Sequence, residues 1–148
     1  MTRAEVTEKI LAQKLRRQLS WKTIAAEIGG GSPVYITAAL MGQMRLRPEQ
    51  AGRAATLFGL GEEEALLLRE VPYRGALATV VPTDPLIYRF YEIMQVYGTT
   101  VKELIQDEFG DGIMSAIDFE LSVERQPDPK GDRVKVTMSG KFLNYREY

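Results

Sequence analysis

The sequence predicts an α+β fold. Residues 1–75 read as a bundle of short helices resembling helix-turn-helix DNA-binding domains. Residues 76–148 read as a small unit of two helices and a β-hairpin whose remaining strands are expected from a partner subunit. Three observations carry this reading. Apolar residues recur at intervals of three and four as far as Phe109, and the interval changes to two after Gly112. Only one pair of alternating runs follows, and a lone two-stranded hairpin with two unpaired edges is marginal in water.

The elements follow in order. Thr2 and Glu5 have capping-box spacing, and Val6, Ile10, Leu11, Leu15 and Leu19 continue at helical intervals. Ser20 caps a second, shorter helix that ends near Ile28, before three consecutive glycines. Ser32 with Pro33 at the first helical position opens a third, ending near Gly42. Two more are expected over Pro48–Phe58 and Glu62–Glu70. Periodicity then lapses over Val71–Pro82, where Pro72, Gly75 and Pro82 mark a linker. Thr83 or Asp84 caps the next helix, whose stripe of Leu86, Phe90, Ile93, Met94 and Tyr97 is expected to close at Gly98. A capping box at Thr100 and Glu103 starts another, ending at Phe109-Gly110. Ile117, Phe119, Leu121 and Val123 then alternate with polar residues as a half-buried strand. The turn chemistry of residues 127–132 returns the chain as a second strand through Val134, Val136 and Met138.

Composition removes whole classes of chemistry. The 148 residues include no cysteine and no histidine, which excludes disulfides, zinc fingers, thiol nucleophiles and imidazole catalysis. No loop has the spacing of oxygen ligands that a hard cation needs, so no metal is expected; no other cofactor is expected either. The start lacks an apolar signal core and no run of 18 apolar residues occurs; a cytoplasmic location is expected. The net charge of −1 conceals a basic front, with nine Lys/Arg against four Asp/Glu in residues 1–53. That balance and the Ser20–Met41 segment raise DNA binding. The third helix, however, holds no Arg, Lys, Asn or Gln with which to read bases, so the geometry is assigned to packing. Lys14, Arg16, Arg17 and Lys22 are taken as a solvated face, and no nucleic-acid or membrane partner is expected. A small anion-sensing transcriptional regulator is the alternative that would use the basic front.

Two constellations could carry chemistry. Arg89 and Glu92 lie three residues apart on one helix face among Tyr88, Phe90 and Tyr91, and a guanidinium fork suits planar carboxylates and carbonates. Ser115 follows Gly110-Asp111-Gly112, where backbone N–H groups could hold an anion. Without histidine this serine binds rather than attacks, unless a lysine or another unusual base activates it.

The stretches Pro82-Thr83-Asp84-Pro85, Tyr88-Arg89-Phe90-Tyr91-Glu92, Gln95-Val96-Tyr97-Gly98-Thr99-Thr100 and Phe109 through Ile117 closely resemble the cyanase family. The likeness extends upstream through Val34–Gln43 and downstream to Gly140-Lys141-Phe142-Leu143, covering nearly the whole chain; the tail Asn144–Tyr148 is the least characteristic part. The resemblance implies bicarbonate-dependent decomposition of cyanate, through a dianionic adduct and carbamate, to ammonia and carbon dioxide. Bicarbonate is then a co-substrate. The family's Arg, Glu and Ser fall on Arg89, Glu92 and Ser115. Strands that interlock between two subunits, dimers assembled into a decamer, and active sites between subunits are implied as well.

Overall fold

The computed structural model describes residues Met1–Tyr148 and divides into two units, Met1–Ala76 and Leu77–Tyr148. Five helices build the first: α1 (Arg3–Arg16), α2 (Trp21–Ile28), α3 (Pro33–Leu40), α4 (Pro48–Phe58) and α5 (Glu62–Leu67). Their starts follow from capping chemistry. Thr2 accepts the Glu5 N–H while Glu5 accepts the Thr2 N–H, and Ser20 and Ser32 accept from Thr23 and Tyr35. Arg47, at the cap of α4, has no acceptor; there only the returning half of a box forms, from the Arg47 N–H to Gln50 Oε1. The fifth helix is shorter than expected. Its last turn tightens, with Arg69 N–H bonding the Leu66 carbonyl, so the chain leaves the helix before Glu70.

The core of this unit is a cluster including Val6, Ile10, Ile24, Ile36, Leu40 and Phe58, all essentially inaccessible to water. α2 packs on α3 and α4, and α1 on α4 and α5. Helix C-termini leave carbonyls without partners, and basic side chains satisfy them. Arg17 donates to Leu57 O and Arg53 to Ile28 O, while Arg3 adds a second bond to Ala39 O, which also accepts the Gly42 N–H. Arg17 is therefore no mere solvated charge as the sequence suggested, and Lys14 lies over the Trp21 ring at 5.2 Å.

Glu64 is buried, and its carboxylate accepts from Lys9 Nζ at 2.6 Å and from the Gly61 N–H. The Lys9 hydrogen bond first, and that of Gly61 second, hold its carboxyl below the ordinary value. A lowered carboxyl pKa stabilises the fold above the unfolded value of about 4.3, and that contribution disappears as pH falls through the folded value. Glu64→Gln should therefore lower the melting temperature at pH 7, with the gap to wild type closing below about pH 4. A gap independent of pH in thermal melts would refute the linkage.

The second unit contains α6 (Pro85–Phe109), β1 (Gly112–Gln126) and β2 (Arg133–Asn144). The two helices expected here are one. Gly98 keeps right-handed backbone geometry, so the hydrogen-bond ladder runs through it, and Thr100 caps nothing. An interior glycine costs about 1 kcal/mol relative to alanine, too little to end a ladder of 25 residues. Asp84 starts the helix by accepting the Leu86 and Ile87 N–H groups, and Gly110, at φ +89°, ends it. No helix of the chain is long and apolar enough to cross a membrane.

The strands pair antiparallel from Gly112↔Asn144 to Gln126↔Arg133, beyond the expected limits at both ends. The joining turn is held by Asp128, which accepts the Lys130 N–H at 2.8 Å. Pairing breaks between Met114 and Phe119, where Ser115–Asp118 face only Lys141. This bulge corrects the expected alternation. Ile117 falls inside it and is 98% exposed, while Phe119 and Leu121 remain half-buried. Beyond Leu68 only Pro82 and Ser115 are buried within the single chain.

Candidate active site

The first part of the site lies in the second turn of α6. Pro85 occupies the first turn, where its missing N–H costs no hydrogen bond, and Asp84 fixes the helix start. Residues 88–92 are thereby held on a rigid element. Arg89 Nη1 donates to Glu92 Oε2 at 3.3 Å, the i,i+3 contact expected, and Arg89 Cζ stands 5.6 Å from the centre of the Tyr88 ring. The Tyr88 and Tyr91 rings lie 5.9 Å apart. The side chains of Arg89 and Glu92 are 59% and 51% exposed. Such a pair contributes under about 1 kcal/mol to stability, so stability does not account for a charged pair in this aromatic setting. One carboxylate contact leaves most of the guanidinium's five N–H donors open to a planar anion.

The second part is the bulge. Ser115 is the buried residue of β1, at 6% exposure, and its Oγ accepts from the Ile117 N–H at 3.1 Å and the Asp118 N–H at 2.9 Å. The expected turn serine is thus observed, with a chemical consequence. Both lone pairs of the hydroxyl are used, and its O–H proton remains to be donated. The Ile117 and Asp118 N–H groups, already bonded, are not free for an anion.

Sequence reasoning missed the residue that allows this packing. A Cβ on Gly140 would stand 2.3 Å from the Ser115 carbonyl oxygen and 2.7 Å from Met114 Cγ, so only glycine lets β2 approach the bulge this closely. The available signal was a glycine interrupting the alternation of the second strand. Within one chain the structure joins Arg89 to Glu92, while Ser115 makes no hydrogen bond to either. No three acidic side chains converge as a metal site would require. In α3, Tyr35 commits its hydroxyl proton to the Arg45 carbonyl at 2.9 Å.

Comparison with known proteins adds to this geometry. A family model described as the N-terminal domain of cyanate hydratase matches residues 3–72, and one described as the cyanate lyase C-terminal domain matches 79–147. Cyanate hydratase from Methylibium petroleiphilum is 59% identical over all 148 residues of both chains, and that from Ralstonia pickettii 58%. The crystal structure of cyanase from T. urticae superposes with a TM-score of 0.80 at 34% identity, covering 94% of this chain and 96% of that one. The helical unit, the hairpin unit and these matches define an α+β enzyme of the lyase class. The chain belongs to the cyanate hydratase family, also called cyanase or cyanate lyase.

Proposed function

We propose that this enzyme decomposes cyanate with bicarbonate as co-substrate and without a resident cofactor. Its full-length identity to proteins named cyanate hydratase carries the reading. Cyanate and bicarbonate join to a dianionic adduct, which loses carbon dioxide and takes up one proton to give carbamate. Carbamate takes up a second proton and breaks into ammonia and a second carbon dioxide. Two anions repel each other in water, and fixed donors in a site lower that barrier. Arg89 neutralises the dianion with the free part of its fork, and Ser115 orients it through its O–H. Glu92 positions Arg89 or handles a proton; beside bound anions its carboxylate depends on Arg89 for compensation.

The exposed apolar face of α6 and the two open edges of the hairpin support a homo-oligomer, read here as a decamer built from dimers with active sites between subunits. The arginines committed to helix carbonyls support a first unit that binds no nucleic acid. The cysteine-free composition fits the reducing cytoplasm. Ammonia release from cyanate in carbon-dioxide-depleted buffer tests the reading. Release should require added bicarbonate; equal release without it would overturn the mechanism, and none under either condition would overturn the function.

Gly140→Ala adds a test of Ser115. By moving the bulge, it should lower turnover about a hundredfold, the order expected for a displacement near 1 Å, while sedimentation shows an unchanged oligomer. Turnover close to wild type would count against the role of Ser115.

A further inference from the structure

We propose that the first unit holds a binding site for a small polyvalent oxyanion, formed by Arg45, Arg47 and Arg69. These three guanidinium-bearing residues line a cavity of about 360 Å³, within the size range of small-molecule pockets. One carboxylate, Glu70, lines it as well, which leaves two net positive charges.

The arginines of this unit fall into two groups. Arg3, Arg17, Arg47 and Arg53 donate to backbone carbonyls and so have a structural task. The side chains of Arg16, Arg45, Arg69 and Arg74 make no hydrogen bond and no ion pair, and of these four only Arg45 and Arg69 line the cavity, beside Glu70. Their positions are nonetheless fixed at the backbone. The Leu46 N–H bonds the Leu68 carbonyl at 2.8 Å, and both leucine side chains are buried. Arg45 and Arg47 flank one end of that bond and Arg69 adjoins the other.

Arg47 is held further by Gly30 O at 2.7 Å and by Gln50. Arg47 is thus placed before binding, whereas Arg45 and Arg69 are anchored at the backbone alone and would order their side chains when an anion arrives. Guanidinium forks match phosphate and carboxylate oxygens in pairs, and Leu66 and Pro48 give an apolar wall for a carbon skeleton. The chemistry therefore selects a compact organic ligand with two or more phosphate or carboxylate groups. The inference stands independently of the cyanate reaction, since no residue of the second unit takes part.

Calorimetric titration of the full-length protein with pyrophosphate and with citrate, at physiological ionic strength, tests it. Arg89→Gln serves as the background, so that the reaction site contributes nothing. Arg45→Gln with Arg69→Gln should weaken binding about tenfold or more, the loss expected from removing charged hydrogen bonds. Glu70→Gln should tighten it, a gain that misfolding cannot mimic. Preference for pyrophosphate would assign the site to phosphorylated ligands, preference for citrate to polycarboxylates, and equal binding to polyvalent oxyanions generally. Absence of binding by either ion, or a loss below tenfold in the paired variant, would overturn the proposal.

Discussion

Arg89→Lys should leave a folded, assembled protein that has lost at least about a hundredfold in turnover of cyanate, the scale on which single transition-state donors act. The substitution keeps the charge and removes the fork. Arg89 now reaches Glu92 with one nitrogen at 3.3 Å, lies against Tyr88, and has its remaining donors free. An ammonium is a compact point charge; it can satisfy Glu92 or a bound dianion but not present the planar, paired donors that hold both. If charge neutralisation alone were the task, Lys would serve nearly as well. The check is steady-state ammonia release at saturating bicarbonate, with sedimentation on the same samples. Turnover within fivefold of wild type would refute the assignment of the fork.

Ile93→Asp should abolish assembly and activity together. α6 is about 37 Å long at 1.5 Å per residue, and none of its side chains is buried within the chain. Leu86, Phe90, Ile93, Met94 and Leu104 are between 44% and 71% exposed, an apolar surface that monomeric proteins rarely leave open. A carboxylate in the middle of that stripe does not disturb the helix greatly, but burying it against a second subunit without a partner is costly. The core from Val6 to Leu68 lies outside the substitution, so the helices of the first unit should remain folded. Sedimentation velocity and ammonia release measured together would check this. A variant that keeps the wild-type oligomer would exclude this stretch of α6 from the interface.

What could be read from the sequence depended on whether the signal was local. Caps at Thr2, Ser20, Ser32 and Asp84 are contacts within three residues, and each is present in the structure. The division of α6 at Gly98 was wrong for a related reason. A glycine ends a helix only where it turns to positive φ, and that depends on whether the ladder beyond it has partners. The pairing of Arg89 with Glu92 was legible because helical spacing imposes it. The environment of Ser115 was legible only in part. Its turn-like bonding is local, but the bulge depends on Gly140, twenty-five positions away, and on a register that no single strand reveals. The work of Arg3, Arg17 and Arg53 could not be seen, because their carbonyl partners lie on other helices.

The unequal burial of the two units also fixes an order in time. The first unit encloses its core with five short helices joined by short turns, contacts that one chain can make rapidly by itself. In the oligomer proposed above, the second gains little until another chain arrives, so its ordering rate rises with concentration while that of the first does not. A newly synthesised chain would therefore carry a finished head and a waiting hairpin whose edges can pair with any strand nearby. The interval between synthesis and encounter is when this protein is most open to aggregation and proteolysis, and chains made close together would shorten it.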